Sequence, residues 1–454
     1  MTPADPWPAP HPPGPVDGTV RVPGSKSLTN RWLLLAALAE GPSTLRGVLD
    51  SRDSRLMLAA LETLGAHVRW TGPDTVQITP LPHRHEVGSI AIDCGLAGTV
   101  MRFVPAVAAL TSGTITFDGD PEARVRPMAP VLDALRQLGV RIETPSGPAD
   151  HLPSTLPFII QGRGSLQGGR AEIDASGSSQ FVSALLLAAP RFTEGLHLVL
   201  TGESVASPEH IGMTVSVLRQ AGVEVDDSVP GQWRVSPGRI QGLDITVEPD
   251  LSNAGPFLAA AVVTGGTVRI PDWPLQTTQI GDRWRDILPR FGATVDFTQD
   301  TESTGTLTVT GSTDASGRPT IHGPGEISGT AELAPTVAAL CLLAEGPAAL
   351  TGIGHLRGHE TDRLAALAAE TARIGGSVQE QPDRLDFSPV PRDSLHAKVM
   401  DTYQDHRMAT FAAVVGLAVE GVEIRDVATT AKTMPDFPQM WTALTDTAHT
   451  GGRA

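Results

Sequence analysis

One unit returns six times along the chain, and this repetition limits the possible folds more than any other feature. Each copy opens on a polar or glycine-containing lead. An Ala/Val/Leu-rich segment of helical length follows, then a glycine, then a β-type run. The copies start at Ser27, Gly98, Ser178, Asn253, Glu332 and Asp405, roughly 70–80 residues apart. That period is long for a solenoid and suits a βαβ-type unit used repeatedly. A second signature lies between the copies: the end of an amphipathic helix, a capping glycine and a strand. It occurs at Leu61 to Val68, Leu135 to Ile142, Leu218 to Val225, Ile287 to Val295 and Thr371 to Val378. A helix that is apolar all round has to be buried on every side. Three such helices covered by sheets make one α/β domain, so six copies predict two.

The length of 454 residues agrees with two or three domains. Aromatic residues are only 4% of the chain, which leaves the packing to Ala, Gly, Leu and Val. A formal net charge of −16 argues against nucleic acid or an anionic membrane as partner. An anionic small substrate would need its cations gathered locally. The two cysteines, Cys94 and Cys341, make neither a disulfide framework nor a thiolate metal site. Met1 to Gly18 is proline-rich, has the pattern of neither a signal peptide nor an anchor, and reads as a loose arm. No apolar run is long enough to span a bilayer. The expectation is a soluble, cytoplasmic monomer.

If the buried helices are arranged alike, their leads form a common polar surface, and chemistry is expected there. The first lead, Val22 to Arg31, holds Lys26, Ser27 and Arg31 at a helix start, where unpaired N–H groups and the helix dipole favour an anion. It is not a P-loop, because Ser25 separates Gly24 from Lys26. The second lead is Gly95 to Thr99, followed by Arg124 and Arg126. The third is Asp174 to Gln180, rich in hydroxyls. Asp250 to Asn253, Thr330 to Glu332 and Gln404 to Arg407 make the other three. Two more polar clusters are His359 to Arg363 and Thr429 to Thr433. Several cations, many helix starts and few carboxylates suit ligands with several phosphate or carboxylate groups. Glu332 and Glu360 are the acid/base candidates. His359-Glu360 is no zinc motif, since Arg363 stands four residues after the histidine. Each feature has a plainer use: Ser178-Ser179 and Asp405 as caps, His406 as a core imidazole, Glu360 with Arg363 as a surface pair, Lys432 as a solvated cation.

These leads, in this order, resemble the 5-enolpyruvylshikimate-3-phosphate synthase family. The matching segments are Pro23-Gly24-Ser25-Lys26-Ser27 with Arg31, Ala97 to Arg102, Arg126-Pro127, Ser178 to Phe181, Glu360 to Leu364, Asp405 to Met408, and Ala431-Lys432-Thr433. They span nearly the whole chain. The resemblance implies an inverted, inside-out α/β barrel in each of two domains, with three repeats apiece and helix N-termini facing an interdomain cleft that closes on the substrates. One domain would cover 25–246, and the other 19–24 plus 247–454. It also implies transfer of the enolpyruvyl group of phosphoenolpyruvate to the 5-hydroxyl of shikimate 3-phosphate, on the shikimate pathway, with no cofactor and no metal.

Carried over by position, Lys26, Ser27, Arg31, Ser178, Ser179, Gln180, Ser207, Glu332 and His359 would contact shikimate 3-phosphate. Lys26, Gly98, Arg126, Gln180, Arg363, Arg407 and Lys432 would contact phosphoenolpyruvate, with Asp405 and His406 in support. Lys26, Glu332 and Glu360 would be catalytic: Glu360 gives a proton to the methylene carbon and later removes one, and Glu332 takes the hydroxyl proton. The chain departs from the family pattern at Leu96 (usually Asn), Phe103 (commonly Pro), Glu332 (often Asp), His355 (usually Asn) and His359 (commonly Lys). His359 would replace a fixed cation with one that titrates near neutrality. A UDP-N-acetylglucosamine enolpyruvyl transferase fits less well, because Gly119 to Arg126 lacks a cysteine and Lys26 is followed by Ser27. A non-catalytic anion-binding protein on the same fold would have no need of Glu332 and Glu360.

Overall fold

A computed structural model describes residues 6–145, 153–202, 205, 207–358 and 360–450. The chain forms two compact units, one of Gly24–Val247 and one of Met1–Pro23 with Glu248–Ala454. It passes from one to the other at Pro23-Gly24, where a side chain on Gly24 would overlap the carbonyl of Gly47.

In the Gly24–Val247 unit the three apolar segments form the helices Lys26–Ala37, Gly98–Ala108 and Gln180–Ala188. Nearly every residue in them is buried, as their uniform hydrophobicity demands. The Gln180–Ala188 helix packs against both of the others. Around them stand three four-stranded sheets of identical order. In each, two parallel strands are followed by two antiparallel ones. Glu86–Asp93 pairs in parallel with Ser112–Asp118, which pairs with Phe158–Arg163, and that strand pairs with Arg141–Glu143. Gly169–Ile173 and Leu196–Leu200 open the next sheet. Ser43–Arg46 finds its parallel partner in Asp244–Thr246, about 200 residues later, so the end of the unit completes its first repeat.

The other unit follows the same plan with helices Leu251–Thr264, Ala334–Leu343 and His406–Gly416, all three in mutual contact. Gly325–Ser328 and Ala348–Thr351 are the parallel pair of one sheet. Two more sheets depend on the N-terminal segment. Asp17–Thr19 pairs in parallel with Thr267–Arg269, and Trp7–Pro8 pairs antiparallel with Glu423–Ile424. The expectation of a loose arm is therefore wrong for residues 6–18. Val16 is fully buried, and its carbonyl accepts from Thr267 N–H at 2.7 Å. Proline favours the extended backbone that an edge strand also needs, so its abundance here marks strand edges and not disorder. Deleting residues 1–16 is expected to destabilise the second unit by several kcal/mol, since burying one valine alone contributes about 1.5–3 kcal/mol. Urea unfolding should then show an earlier transition for that unit and an unchanged one for Gly24–Val247.

Amphipathic helices lie at Arg52–Thr63, Ala129–Gln137, Glu209–Gln220 and Arg363–Arg373, and Phe437–Thr450 adds one beyond those expected. The expected helix before Gly292 is broken into three short turns over Ile280–Phe291. Pro289 supplies no N–H there, and Gly292 ends the run with a left-handed φ of 95°. Among the described residues, no helix is long and apolar enough to cross a membrane.

Candidate active site

In the Gly24–Val247 unit, Ser25 caps the Lys26–Ala37 helix through the Leu28 N–H. Lys26 opens the helix with its Nζ 3.7 Å from the carboxylate of Asp53, itself buried at the start of Arg52–Thr63. Arg31, one turn on, is 2% exposed. Its guanidinium donates to Thr214 Oγ1 at 2.8 Å, Ser27 O at 2.8 Å and His210 O at 3.0 Å, and it lies 5.4 Å from the centre of the Phe103 ring. Arg31 and Ser27 are thus held together, with Arg31 fixed in place by the Glu209–Gln220 helix.

A second group forms where Gly98–Ala108 begins. Ala97 offers no side-chain cap, so the first N–H groups of that helix lack that form of satisfaction. Arg126 donates to Leu96 O at 3.1 Å. Arg102 donates to Gln180 Oε1 at 2.8 Å and Ser178 Oγ at 3.3 Å, and lies over the Phe181 ring. Ser178 also accepts from the Gln180 N–H, while buried Ser179 precedes the helix without capping it. A Cβ on Gly98 would sit 3.0 Å from Arg126 Nη2 and 3.1 Å from Gln180 Oε1. Gly98, Arg126, Gln180, Ser178 and Arg102 therefore form one cluster. Gly98→Ala should leave stability intact or slightly raised, since alanine is favoured over glycine in helices by up to about 1 kcal/mol. It should displace Arg126 from Leu96 O and weaken anion binding at this cluster by roughly tenfold or more, as titration with an anionic ligand would show. Ser207 stands apart, ahead of Glu209–Gln220, with a left-handed φ of 52°.

In the other unit Glu360 accepts from Lys432 Nζ and, at 3.0 Å, from Arg363 Nη2. Arg363 also donates to Asp405, through Nε at 2.7 Å and Nη2 at 3.2 Å. Arg363 is 2% exposed and Asp405 fully buried, so neither belongs to a surface pair. Burial works to lower the Arg363 pKa, but Asp405, Glu360 and Glu332 outweigh it and raise it, which keeps the guanidinium charged. Asp405 also caps His406–Gly416 by accepting from the Arg407 N–H at 2.9 Å, and lies 3.5 Å from His406 Nδ1. Arg407 donates to Ser252 O at 3.1 Å, and Ser252 Oγ donates to Glu332 at 3.1 Å. Glu332 sits in the turn Ala331–Leu333, just before the Ala334–Leu343 helix, after a left-handed Ala331 (φ 40°). Glu332, Ser252, Arg407, Asp405, Arg363, Glu360 and Lys432 are thus one connected chain of polar contacts. His359 lies outside the described residues. Among the described residues, no group of three or more His, Cys, Asp or Glu could hold a metal ion.

The family model for EPSP synthase (3-phosphoshikimate 1-carboxyvinyltransferase) matches residues 10–441. The chain belongs to the EPSP synthase family. A 3-phosphoshikimate 1-carboxyvinyltransferase of Kocuria rhizophila is 57% identical over 449 residues, 97% of this chain and 96% of that protein. The chain's fold is like that of an EPSP synthase from Acinetobacter baumannii, with a TM-score of 0.76 and 23% identity, covering 96% and 97% of the two chains. It is also like that of the enolpyruvyl transferase NikO from Streptomyces tendae, with a TM-score of 0.69, 18% identity and 96% coverage of each. Both likenesses bear on a two-domain α/β fold. In this member of the EPSP synthase family three contributors go beyond the residues expected from sequence: Asp53 beside Lys26, Arg102 on Ser178 and Gln180, and Ser252 between Arg407 and Glu332. Arg102 lies within a matching segment and Ser252 within a lead, so their positions offered a signal. Asp53 sits in Ser51 to Ser54, which reads as an ordinary capping box and forms one.

Proposed function

We infer that this protein transfers the enolpyruvyl group of phosphoenolpyruvate to the 5-hydroxyl of shikimate 3-phosphate and releases phosphate. The observation that carries the reading is the joining of Glu360 to two cations, Lys432 and Arg363, in a chain that matches the family from residue 10 to 441. Lys26, Arg126, Gln180, Arg363, Arg407 and Lys432 would take the anionic groups of phosphoenolpyruvate, with Gly98 giving room. Ser27, Arg31, Ser178, Ser179, Gln180, Ser207 and His359 would take shikimate 3-phosphate.

In the addition step the 5-hydroxyl oxygen bonds to C2 of phosphoenolpyruvate. Its proton passes to Glu332, which Ser252 orients, and the methylene carbon gains a proton from Glu360. In the elimination step that carbon returns a proton to Glu360 while the bond from C2 to the phosphate oxygen breaks. Lys432 and Arg363 engage Glu360 in the absence of substrate; once they are drawn onto phosphoenolpyruvate, Glu360 takes a proton from solvent and enters the addition step as the acid. Asp405 keeps Arg363 charged and aimed throughout.

We place the three buried helices of each unit at the centre of an inside-out barrel, a reading supported by their near-complete burial and by the repeated strand order. We further read the protein as a monomer and as cytoplasmic, the latter supported by two buried, free thiols. Phosphate release measured with each acceptor tests the reaction. Release with shikimate 3-phosphate alone is expected; release only with UDP-N-acetylglucosamine, or with neither, would reject it.

A further inference from the structure

Ahead of Asp405 the chain does something costly. Tyr403 and Gln404 are adjacent non-glycine residues, and both hold left-handed backbone, with φ of 52° and 57°. Such a conformation is disfavoured for side-chain-bearing residues and persists only where the surroundings impose it. Glu370 imposes it here. Its carboxylate is fully buried and accepts from the Tyr403 hydroxyl at 2.7 Å and from the Asp401 N–H at 3.2 Å. It also pairs with Arg373 Nε at 3.1 Å. Asp401 is gripped in turn by Arg373 Nη2 at 3.0 Å and Arg425 Nε at 2.8 Å. Asp401 and Tyr403 are therefore both tied to one buried carboxylate.

That carboxylate belongs to the Arg363–Arg373 helix, whose first residue grips Asp405. Two turns separate the grips, and between them the same helix holds the backbone entering Arg407. Burial raises the Glu370 carboxyl above its usual range, although Tyr403 and Arg373 act to lower it. The Tyr403 phenol is pushed up to about 12 by burial and by Glu370, so it stays a donor at all ordinary pH values.

We propose that Tyr403 and Glu370 are positioning residues that lock the segment 401–404 and so set the approach of Arg407 to phosphoenolpyruvate. The proposal rests on the reading of Arg407 as a phosphoenolpyruvate ligand. Neither residue touches substrate; each acts through the backbone that carries Asp405 and Arg407.

Three mild variants of the full-length protein test it in steady-state kinetics with each substrate varied. Tyr403→Phe removes one hydroxyl and keeps the ring. Glu370→Gln keeps the shape and removes the charge. Gln404→Gly keeps every described tether and makes the left-handed backbone easy, so it should leave the phosphoenolpyruvate KM within about twofold. Tyr403→Phe and Glu370→Gln are each expected to raise that KM by about tenfold, the scale on which small misplacement of a binding group is felt. The shikimate 3-phosphate KM should stay within about twofold, because its proposed contacts Ser27, Arg31, Ser178, Ser179 and Gln180 belong to the Gly24–Val247 unit, which these variants leave untouched. The Tyr403→Phe and Glu370→Gln effects should be non-additive, since both act on the contact between the Tyr403 hydroxyl and Glu370. A simple loss of folded protein would instead lower the rate while leaving both KM values alone, and that result overturns the proposal. Arg407→Lys separates the two layers. If it raises the phosphoenolpyruvate KM and Tyr403→Phe and Glu370→Gln do not, the tether is wrong and the site reading stands. If it too leaves that KM unchanged, the reading of Arg407 fails and takes the tether with it.

Discussion

Asp405→Ala should lower the unfolding free energy by about 3–5 kcal/mol, the usual consequence of removing one partner from a buried ion pair. The Arg363 guanidinium would remain inside, 2% exposed, without the two hydrogen bonds it makes to this carboxylate. The His406–Gly416 helix would lose its cap as well, a further loss of about 1 kcal/mol. Asp405→Asn keeps an oxygen for the cap but not the charge, and should fall between wild type and alanine. Urea denaturation followed by circular dichroism measures both. A midpoint unchanged in the alanine variant would mean that the pair is not the internal support described here. Turnover should be lost alongside stability, because the same carboxylate keeps Arg363 charged and aimed.

Glu360→Gln should behave in the opposite way. The glutamine fills the same space, so the fold should survive, but it carries no proton between the two steps. A positioned general acid or base typically contributes 10²–10⁴-fold, and a fall in kcat of about that size is expected. The variant should still bind both substrates, since Lys432 and Arg363 are then no longer engaged by a carboxylate. Phosphate release under saturating substrates gives the answer. A fall of less than about tenfold would remove Glu360 from the proton path and leave Glu332 as the remaining candidate.

How far the sequence can be read depends on the kind of signal each element leaves. The six buried helices are visible because an all-apolar run of helical length has few alternatives, and their observed starts lie within a few residues of the leads. Where a lead ends is harder to read. Glu332 sits in a separate turn before its helix, and the Ser178-Ser179 pair does not cap with Ser179, because loops there are shaped by Arg102 and Gln180 rather than by local preference. The broken helix at Ile280–Phe291 carries its warning in Pro289. Asp53 leaves no local trace, since its meaning depends on Lys26, which is distant in sequence but close in space. The N-terminal strands escape a local reading for a similar reason. Their partners, at Thr267–Arg269 and Glu423–Ile424, lie hundreds of residues away, and no nearby pattern announces them.

Those distant partners also bear on the order of events during synthesis. The Gly24–Val247 unit has every strand it needs once residue 246 has left the ribosome, and it can fold while the rest is still being made. The strands before Gly24 are made before that unit yet wait longer: Asp17–Thr19 has no neighbour until Thr267–Arg269 is made, and Trp7–Pro8 none until Glu423–Ile424 is made. A nascent chain whose strands stay open for that long is a target for chaperones, and a stall after residue 246 would release one finished unit with two unpaired strands ahead of it.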